Sequence, residues 1–460
     1  MLHKAFVPLA VIAMMLIISS SVFADTLFMR NGDRIAGVIT KVEIETKYPV
    51  VEVSPVEVNA EGISEVILSG LSEEGEKNED ILVMKNGDRI SGMISQIEIQ
   101  TDYGLIEVPA AGIELVSFSV EPPLILGWEF LTGASISSSP IVGKNKLYVG
   151  SWDHFLYALN TLHGEVVWKY EAEDRIYSAP TLNDDLVYMG TADGYLYALD
   201  AESGQLKWRY STGASLYSSP VVSDGLVYAG CSDGRIYALE ANSGKLKWVY
   251  KTGGWVDAGP GILENLLVVG SGDYQIYALD AQSGKLKWKY QTRGNISSSP
   301  LVTEDRVYVG SWDHFLYALD ARTGEIKWRF ETKGAISSSP VLVGGILYVG
   351  SWDHFLYALD AKTGELKWKF ETGGWVDAAP LITGNTVYVG SSDGKVYALD
   401  RDKGEEKWVY ATQGRINCTP AEGRRLLYVT SYDGSVYALE STTSVKLVVG
   451  KGKATSVFAR

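Results

Sequence analysis

Cysteine is scarce in this chain, since only Cys231 and Cys418 occur among 460 residues. Two cysteines are too few for a disulfide framework, and they lack the CxxC or CxxCH spacing of redox, zinc or haem-attachment sites. Both align with serine in other copies of the internal repeat described below. We therefore expect two buried thiols without a chemical role.

Long apolar runs are absent after the first 24 residues. A short basic start, an apolar stretch over residues 5–18 and small residues before Asp25 predict a secretory signal peptide at residues 1–24. The stretch is shorter than the roughly 20 residues that cross a bilayer, and no cysteine near the cut offers a lipid acceptor. We expect a periplasmic or secreted chain with no integral membrane segment after signal removal.

Positive charge is also in deficit: 41 Lys and Arg stand against 56 Asp and Glu, a net charge of −15. Residues 25–120 carry −11 of this and residues 121–460 about −5. Because acidic surfaces repel phosphate backbones, we do not expect nucleic acid as a partner.

What the chain has in abundance is periodicity, with a repeat of 40 residues and eight copies. One column of the repeat is tryptophan, at residues 128, 168, 208, 248, 288, 328, 368 and 408. A second column is the tyrosine of a Tyr-Ala-Leu motif, at residues 157, 197, 237, 277, 317, 357, 397 and 437.

Each copy holds four short strand signals separated by turn residues. In one copy these signals are Ala335–Pro340, Ile346–Gly350, Leu356–Leu359 and Leu366–Phe370. Four strands in 40 residues are typical of a propeller blade. The sequence thus predicts an all-β fold with an eight-bladed β-propeller at residues 124–450 and a tail at 451–460.

Ring closure is predicted from the spacing as well. Trp128 precedes the first full repeat by one period, so its strand is expected to complete the last blade. A strand-like stretch at residues 445–449 competes for that place.

A second, smaller repeat precedes the ring. Asn31–Gly37 recurs as Asn86–Gly92, each flanked by alternating strand patterns, and Asn-Gly between such patterns predicts a tight hairpin. We expect two small β modules at residues 25–70 and 81–120, joined by an acidic linker at 71–80.

Segments such as Ala358–Trp368 resemble the repeat of the PQQ-like β-propeller family. This family includes the quinoprotein dehydrogenases and non-catalytic, BamB-like factors of outer-membrane protein assembly. The resemblance implies that the periodic tryptophans are structural and pack between adjacent blades. The small modules resemble SH3-like or Sm-like barrels at the front of exported envelope proteins.

The resemblance to quinoproteins also implies what an enzyme of this family would need: adjacent cysteines, calcium ligands, a catalytic Asp and long insertions. This chain has no adjacent cysteines and no insertion in its 40-residue period. We therefore expect a binding protein without cofactor, and keep a PQQ- and calcium-dependent oxidoreductase as the alternative.

Candidate binding residues remain once the framework is subtracted. Five tryptophans lie outside the periodic column: three in identical Ser-Trp-Asp-His-Phe segments between the second and third strands, and two in Gly-Gly-Trp-Val-Asp-Ala at the start of the innermost strand. Both places lie at the same end of a blade, so we expect one aromatic face. Its candidate residues are Trp152, Asp153, His154, Trp255, Asp257, Trp312, Asp313, His314, Trp352, Asp353, His354, Trp375, Asp377, Tyr177 and Tyr217.

The three histidines replace a glycine that follows Asp in four other blades, and Tyr274 does the same in a fifth. If the turn requires positive φ, each replacement costs roughly 1 kcal/mol. Blades one and five are opposite in the ring, so we expect no metal site shared by the histidines.

Two interpretations of the face remain open. In one, its aromatics bind an envelope protein or peptide, or alternatively a carbohydrate. In the other, blade duplication copied the segments without any selected role.

Overall fold

A computed structural model describes residues 125–423 and 426–440, together with the backbone of eight strands between residues 25 and 117. The predicted signal peptide, most of the predicted linker and the predicted tail lie outside the described residues. Where the chain is described it contains strands and turns, and no helix in that part is long and apolar enough to cross a membrane.

Backbone contacts divide the chain into two units, one of which is residues 123–442. In the other unit eight strands form one sheet, in the order β4-β5-β6-β2-β1-β8 with β3 beside β2 and β7 beside β6. These strands are β1 (Asp25–Met29), β2 (Arg34–Glu45), β3 (Val56–Val58), β4 (Ile63–Ile67), β5 (Asp80–Met84), β6 (Arg89–Thr101), β7 (Gly104–Pro109) and β8 (Ile113–Ser117). The predicted resemblance to SH3-like or Sm-like barrels stays a prediction.

Residues 125–440 form eight four-stranded antiparallel blades, as the 40-residue repeat predicts. The first four blades contain β10 (Ile141–Val142), β11 (Lys146–Gly150), β12 (Phe155–Asn160) and β13 (Val166–Glu171); β14 (Thr181–Asn183), β15 (Leu186–Gly190), β16 (Tyr195–Asp200) and β17 (Leu206–Ser211); β18 (Val221–Ser223), β19 (Leu226–Gly230), β20 (Arg235–Glu240) and β21 (Leu246–Lys251); and β22 (Gly261–Leu263), β23 (Leu266–Gly270), β24 (Gln275–Asp280) and β25 (Leu286–Gln291).

Blades five to eight repeat the same order of strands. They contain β26 (Leu301–Val302), β27 (Arg306–Gly310), β28 (Phe315–Asp320) and β29 (Ile326–Glu331); β30 (Val341–Val343), β31 (Ile346–Gly350), β32 (Phe355–Asp360) and β33 (Leu366–Glu371); β34 (Leu381–Thr383), β35 (Thr386–Gly390), β36 (Lys395–Asp400) and β37 (Glu406–Ala411); and β38 (Ala421–Gly423), β39 (Leu426–Thr430), β40 (Ser435–Glu440) and β9 (Ile125–Leu131).

The ring closes through the strand that contains Trp128. β9 pairs antiparallel with β40, with Trp128 opposite Ala438. The prediction that Trp128 completes the last blade is therefore confirmed. The competing stretch at residues 445–449 lies outside the described residues.

The innermost strands differ from the sequence prediction. The segment Ala335–Pro340 was expected to be a strand, but the innermost strand of that blade is Val341–Val343, immediately after the proline. In the segment before the innermost strand, serine hydroxyls bond to backbone groups of the neighbouring strand; the Ser138 Oγ, for example, accepts a hydrogen bond from Gly150 N of β11 at 3.3 Å. Serine thus competes with ladder pairing, as it does in turns generally.

Each blade buries its two middle strands. Leu147 and Val149 of β11 and Leu156 and Leu159 of β12 have no exposed surface, whereas β13 alternates between exposed and half-buried side chains. The core consequently lies between neighbouring blades, as a chain of clusters that each draw residues from two blades. Such a core depends on shape complementarity between successive sheets.

Adjacent blades are joined by one recurrent contact. In the first pair, Trp168 Nε1 and Tyr148 OH of blade one both donate to the carbonyl oxygen of Ala201 in blade two, at 3.2 and 2.9 Å. The Trp168 ring lies on Gly204 of the same turn, where a Cβ would come within 2.6 Å of the ring. Trp128 and Tyr428 make the same pair of bonds to Thr161 across the closure.

The two cysteines are buried, as expected. Desolvation raises the pKa of the Cys231 thiol to about 11 and that of Cys418 to about 12. Neither thiol is therefore ionised near neutral pH, and both fill the place that serine holds in other blades.

We predict that Gly244→Ala destabilises the ring more than Gly225→Ala. Both glycines have positive φ, +68° and +76°, but a Cβ on Gly244 would come within 2.6 Å of the Trp208 ring, whereas nothing lies within 4 Å of one on Gly225. The φ alone costs about 1 kcal/mol, and the ring clash adds about 1–3 kcal/mol. Thermal unfolding followed by circular dichroism measures both, and equal losses of Tm would contradict the interblade role of the glycine.

Candidate functional site

Two segments of every blade meet at one face of the ring, which we call the mouth. One segment precedes the innermost strand, and the other joins the second and third strands. A backbone hydrogen bond ties them together in each blade, for example from Trp152 N to the Ser135 carbonyl at 3.0 Å and from Trp312 N to the Asn295 carbonyl at 2.9 Å. The structure thus places all five non-framework tryptophans at the mouth, although Trp255 and Trp375 lie six residues before their innermost strands.

Four of these tryptophans form a continuous chain of ring contacts, the tryptophan arc, across blades four to seven. The centroid distances are 6.4 Å from Trp255 to Trp312, 5.5 Å from Trp312 to Trp352 and 4.9 Å from Trp352 to Trp375. The last pair is stacked, with an interplanar angle of 14°. Trp312 and Trp375 remain 37% and 41% exposed, so the arc offers aromatic surface to a ligand.

The fifth tryptophan belongs to a second chain, the tyrosine arc, across blades eight, one, two and three. Trp152 contacts Tyr432 at 5.6 Å and Tyr177 at 4.9 Å, and Tyr177 contacts Tyr217 at 5.0 Å. Two arginines stack on this arc: the guanidinium of Arg175 lies 5.8 Å from the Trp152 centroid, and that of Arg415 lies 5.7 Å from the Tyr432 centroid.

Two carboxylates follow the tryptophans that end the tryptophan arc. Asp257 accepts a hydrogen bond from Ser232 Oγ at 2.7 Å, and Asp377 accepts one from Trp352 Nε1. Burial is the main cause that raises the pKa of each carboxyl above its usual value. The positive charge of Arg415 opposes the shift at Asp377.

The indole of Trp352 has a different kind of hydrogen-bond partner from the indoles of its two sequence copies, Trp152 and Trp312. Trp152 and Trp312 donate to a serine of their own blade, at 2.9 and 2.7 Å. Trp352 turns instead to Asp377 in the next blade, which leaves the buried Ser337 Oγ without a hydrogen-bond partner among the described residues. Identical segments therefore do not have identical roles in the ring.

Three predicted site residues make hydrogen bonds within the framework of their blades. Asp153 accepts hydrogen bonds from Phe155 N, Tyr157 OH and Gly133 N, at 3.1, 2.7 and 2.7 Å. Asp313 and Asp353 make the matching contacts in their blades. Aspartate recurs at this column in all eight repeats. Comparing the column across the repeats would therefore have predicted these framework contacts.

The three histidines occupy the strained turn that the sequence predicts. His154, His314 and His354 have φ of 75°, 73° and 76°, and Tyr274 has 71°; the glycines of the other four blades have φ between 82° and 90°. His154 Nε2 lies 3.9 Å from Asp174 Oδ1. The three histidines belong to blades one, five and six.

Sequence reasoning missed three residues of the mouth: Tyr432, Arg175 and Arg415. Tyr432 stands in the column of Trp152, and the arginines stand in the column of Trp255 and Trp375. Reading each column around all eight repeats would have found them. A cavity of about 510 Å³ opens beside Arg415 and Tyr432.

The residues at the mouth do not match a quinone and calcium site. Cys231 and Cys418 are not adjacent, and among residues 125–423 and 426–440 no three His, Cys, Asp or Glu side chains are grouped to hold a metal ion. Asp257 and Asp377 belong to different blades. The expectation of no cofactor stays a prediction.

The family model described as outer membrane protein assembly factor BamB matches residues 114–255, 250–338 and 316–448. A comparison with curated proteins found no match.

Solved structures share the fold of the ring. BamB from Moraxella catarrhalis is 23% identical, with a TM-score of 0.61, over 69% of this chain and 99% of its own. The computationally designed protein Ika8 is 16% identical, with a TM-score of 0.63, over 69% and 100%. A quinohemoprotein alcohol dehydrogenase from Comamonas testosteroni is 18% identical, with a TM-score of 0.60, over 73% and 78%. At these identities the likeness shows the fold alone.

We predict that replacing His154, His314 and His354 together by glycine raises Tm. Each replacement relieves a left-handed backbone that costs a side chain about 1 kcal/mol, partly offset by the greater freedom of glycine in the unfolded chain. Differential scanning calorimetry measures the change. The reverse substitution Gly194→His should lower Tm, since a Cβ there would come within 2.5 Å of the Ala214 carbonyl oxygen; a fall of Tm in the glycine variant would contradict the strain.

We also predict that Asp257→Asn stabilises the ring at neutral pH. Because the folded pKa is raised, the ionised carboxylate destabilises the fold above that pKa, and this cost disappears below the ordinary aspartate value of about 3.9. The gain in Tm should therefore vanish as the pH falls through that range. Asp224→Asn, at an exposed turn on the opposite end of blade three, is the control, and a loss of Tm at neutral pH for Asp257→Asn would contradict the prediction.

Proposed function

Because the chain belongs to the family described as outer membrane protein assembly factor BamB, we propose that it is a scaffold of the cell envelope. The mouth of its ring binds a protein or peptide segment during outer-membrane protein assembly. The observation that carries this proposal is the tryptophan arc, in which four contacting indoles leave Trp312 and Trp375 partly exposed.

The chemistry of the mouth supports recognition rather than packing. Tryptophan, tyrosine and arginine are the residue types that dominate binding energy at protein interfaces, and all three are concentrated here. The periodic tryptophans, by contrast, pack between blades, where seven of the eight lie on a glycine of the next turn. Removing the aromatics of the mouth therefore leaves the interblade contacts of the periodic tryptophans in place.

The scaffold role also agrees with the rigidity of the platform. Each mouth segment is tied by backbone hydrogen bonds within its blade, and Ser135 Oγ of blade one donates to the Tyr432 carbonyl of blade eight at 2.7 Å. A preorganised surface loses less entropy when it binds a flexible chain. In this proposal the ring is the preorganised partner and the ligand is the flexible one.

The test is genetic and quantitative. Deleting the gene should lower the levels of outer-membrane proteins, measured by mass spectrometry of isolated envelopes, and wild-type protein should restore them. A variant with Trp152, Trp312 and Trp352 all changed to Ala should be present at wild-type amounts and fail to restore them, because it lacks the exposed aromatic anchors.

The matched control removes three exposed aliphatic side chains from outer strands, on the rim rather than at the mouth. These are Leu206, Leu286 and Leu366, each 42–45% exposed, changed to Ala. Restoration by this control and not by the tryptophan variant supports the proposal. Unchanged outer-membrane protein levels after deletion, or equal restoration by both variants, would contradict it.

A further inference from the structure

The two arcs of the mouth differ in which cations cover their rings. In the tyrosine arc the protein supplies its own cations: Arg175 lies over Trp152 and Arg415 lies over Tyr432. In the tryptophan arc, no Lys or Arg among residues 125–423 and 426–440 stacks on any of the four rings. The exposed faces of Trp312 and Trp375 are therefore open to a cation from outside.

The repeat places this difference in a single column. The column that supplies Arg175 and Arg415 to the tyrosine arc supplies Trp255 and Trp375 to the tryptophan arc. Two residues later, the arginine blades have Tyr177 and Asn417, whereas the tryptophan blades have Asp257 and Asp377. In these two columns the tyrosine arc thus has cations, and the tryptophan arc has aromatic rings and carboxylates.

We propose that the tryptophan arc binds arginine or lysine side chains of the peptide ligand, with the cation over an indole face and its charge matched by Asp257 or Asp377. This rests on the proposed function and names the chemistry that the mouth selects. Indole is the aromatic group that attracts cations most strongly, and a carboxylate beside it adds a charge-assisted hydrogen bond. Arg175 and Arg415, by contrast, repel a basic segment from the tyrosine arc.

The two carboxylates are unequal in this role. Asp377 already faces Arg415 and receives the Trp352 indole hydrogen. Asp257 has one hydrogen bond, from Ser232, and no cation facing it among the described residues. Desolvation raises the pKa of Asp257, so its charge is held at a cost that a bound cation would offset. Asp257 is therefore the stronger of the two subsites.

The binding site is also preformed. Trp255 lies on Gly272, where a Cβ would come within 2.4 Å of the indole, and Trp375 stacks on Trp352, whose indole is fixed by Asp377. The segment Gly-Gly-Trp-Val-Asp-Ala occurs at both ends of the arc. A ligand with two basic side chains can engage both ends at once, which raises its apparent affinity.

The experiment uses residues 25–460 and two synthetic peptides of alternating arginine and serine that differ in one respect: in the second, citrulline replaces arginine and removes the charge at constant shape. Fluorescence anisotropy of the labelled peptides measures binding at low ionic strength. We expect the arginine peptide to bind about tenfold more tightly than the citrulline peptide. This comparison needs no variant and so does not depend on the folding of one.

Variants then locate the effect. Asp257→Asn should weaken binding of the arginine peptide by about fivefold or more and leave the citrulline peptide unaffected. Asp224→Asn removes the same charge from an exposed turn at the opposite end of blade three and should leave both peptides unaffected. Thermal unfolding establishes that both variants fold.

The outcomes separate this inference from the proposed function. If both peptides bind equally, or if Asp224→Asn weakens binding as much as Asp257→Asn, selection of basic side chains at the arc is overturned, while a peptide-binding mouth stands. If neither peptide binds but the tryptophan variant still fails to restore outer-membrane proteins, the inference is likewise overturned alone. Failure of the genetic test overturns the proposed function, on which this inference rests.

Discussion

One backbone carbonyl in each of blades one to seven accepts the hydrogen bond that joins it to the preceding blade. In the contact between blades one and two, the Ala201 carbonyl accepts hydrogen bonds from both Trp168 and Tyr148, and the glycine of the same turn, Gly204, lies under the tryptophan ring. The contact requires Trp at a fixed separation from this turn. Tyr adds a second donor in blades one, two, three, five, six and eight, whereas blade four has Val268 in its place. The period therefore cannot drift without breaking the tryptophan hydrogen bond. Because Trp128 and Tyr428 make the same contact with Thr161, blade eight joins blade one as blade one joins blade two.

This constraint divides each repeat into columns that the framework fixes and columns that it leaves free. The aspartate of the turn is fixed, since it ties a neighbouring backbone N–H and the motif tyrosine. The columns of Trp152, Trp255 and Asp257 are free, and they vary around the ring. The result is a rigid disc whose mouth has an arc of tryptophan and carboxylate on one side and an arc of tyrosine, tryptophan and arginine on the other. Variation confined to free columns is what a binding surface on a repeat scaffold requires.

The sequence predicts most of the fold and a part of the site. The 40-residue period predicts eight blades, and Trp128 predicts the closure, because both follow from spacing alone. The innermost strand is misplaced at Ala335–Pro340, because serine hydroxyls there compete for backbone hydrogen bonds. Strand propensity alone does not predict this competition. The arcs are beyond prediction from one repeat, since Trp255 and Trp312 are brought together by the curvature of the ring. Arg175, Arg415 and Tyr432 could have been predicted from the sequence, because each stands in a column already singled out for its tryptophans.

The central claim is that the mouth is the surface that meets the ligand. Site-specific photo-cross-linking in intact cells tests it most directly, with a benzophenone amino acid at Trp375 in the tryptophan arc and, separately, at Asp224 on the opposite end of the ring. The account predicts cross-links to envelope proteins or their unfolded segments from position 375 and none from position 224. Cross-links from position 224 with none from position 375 would contradict it.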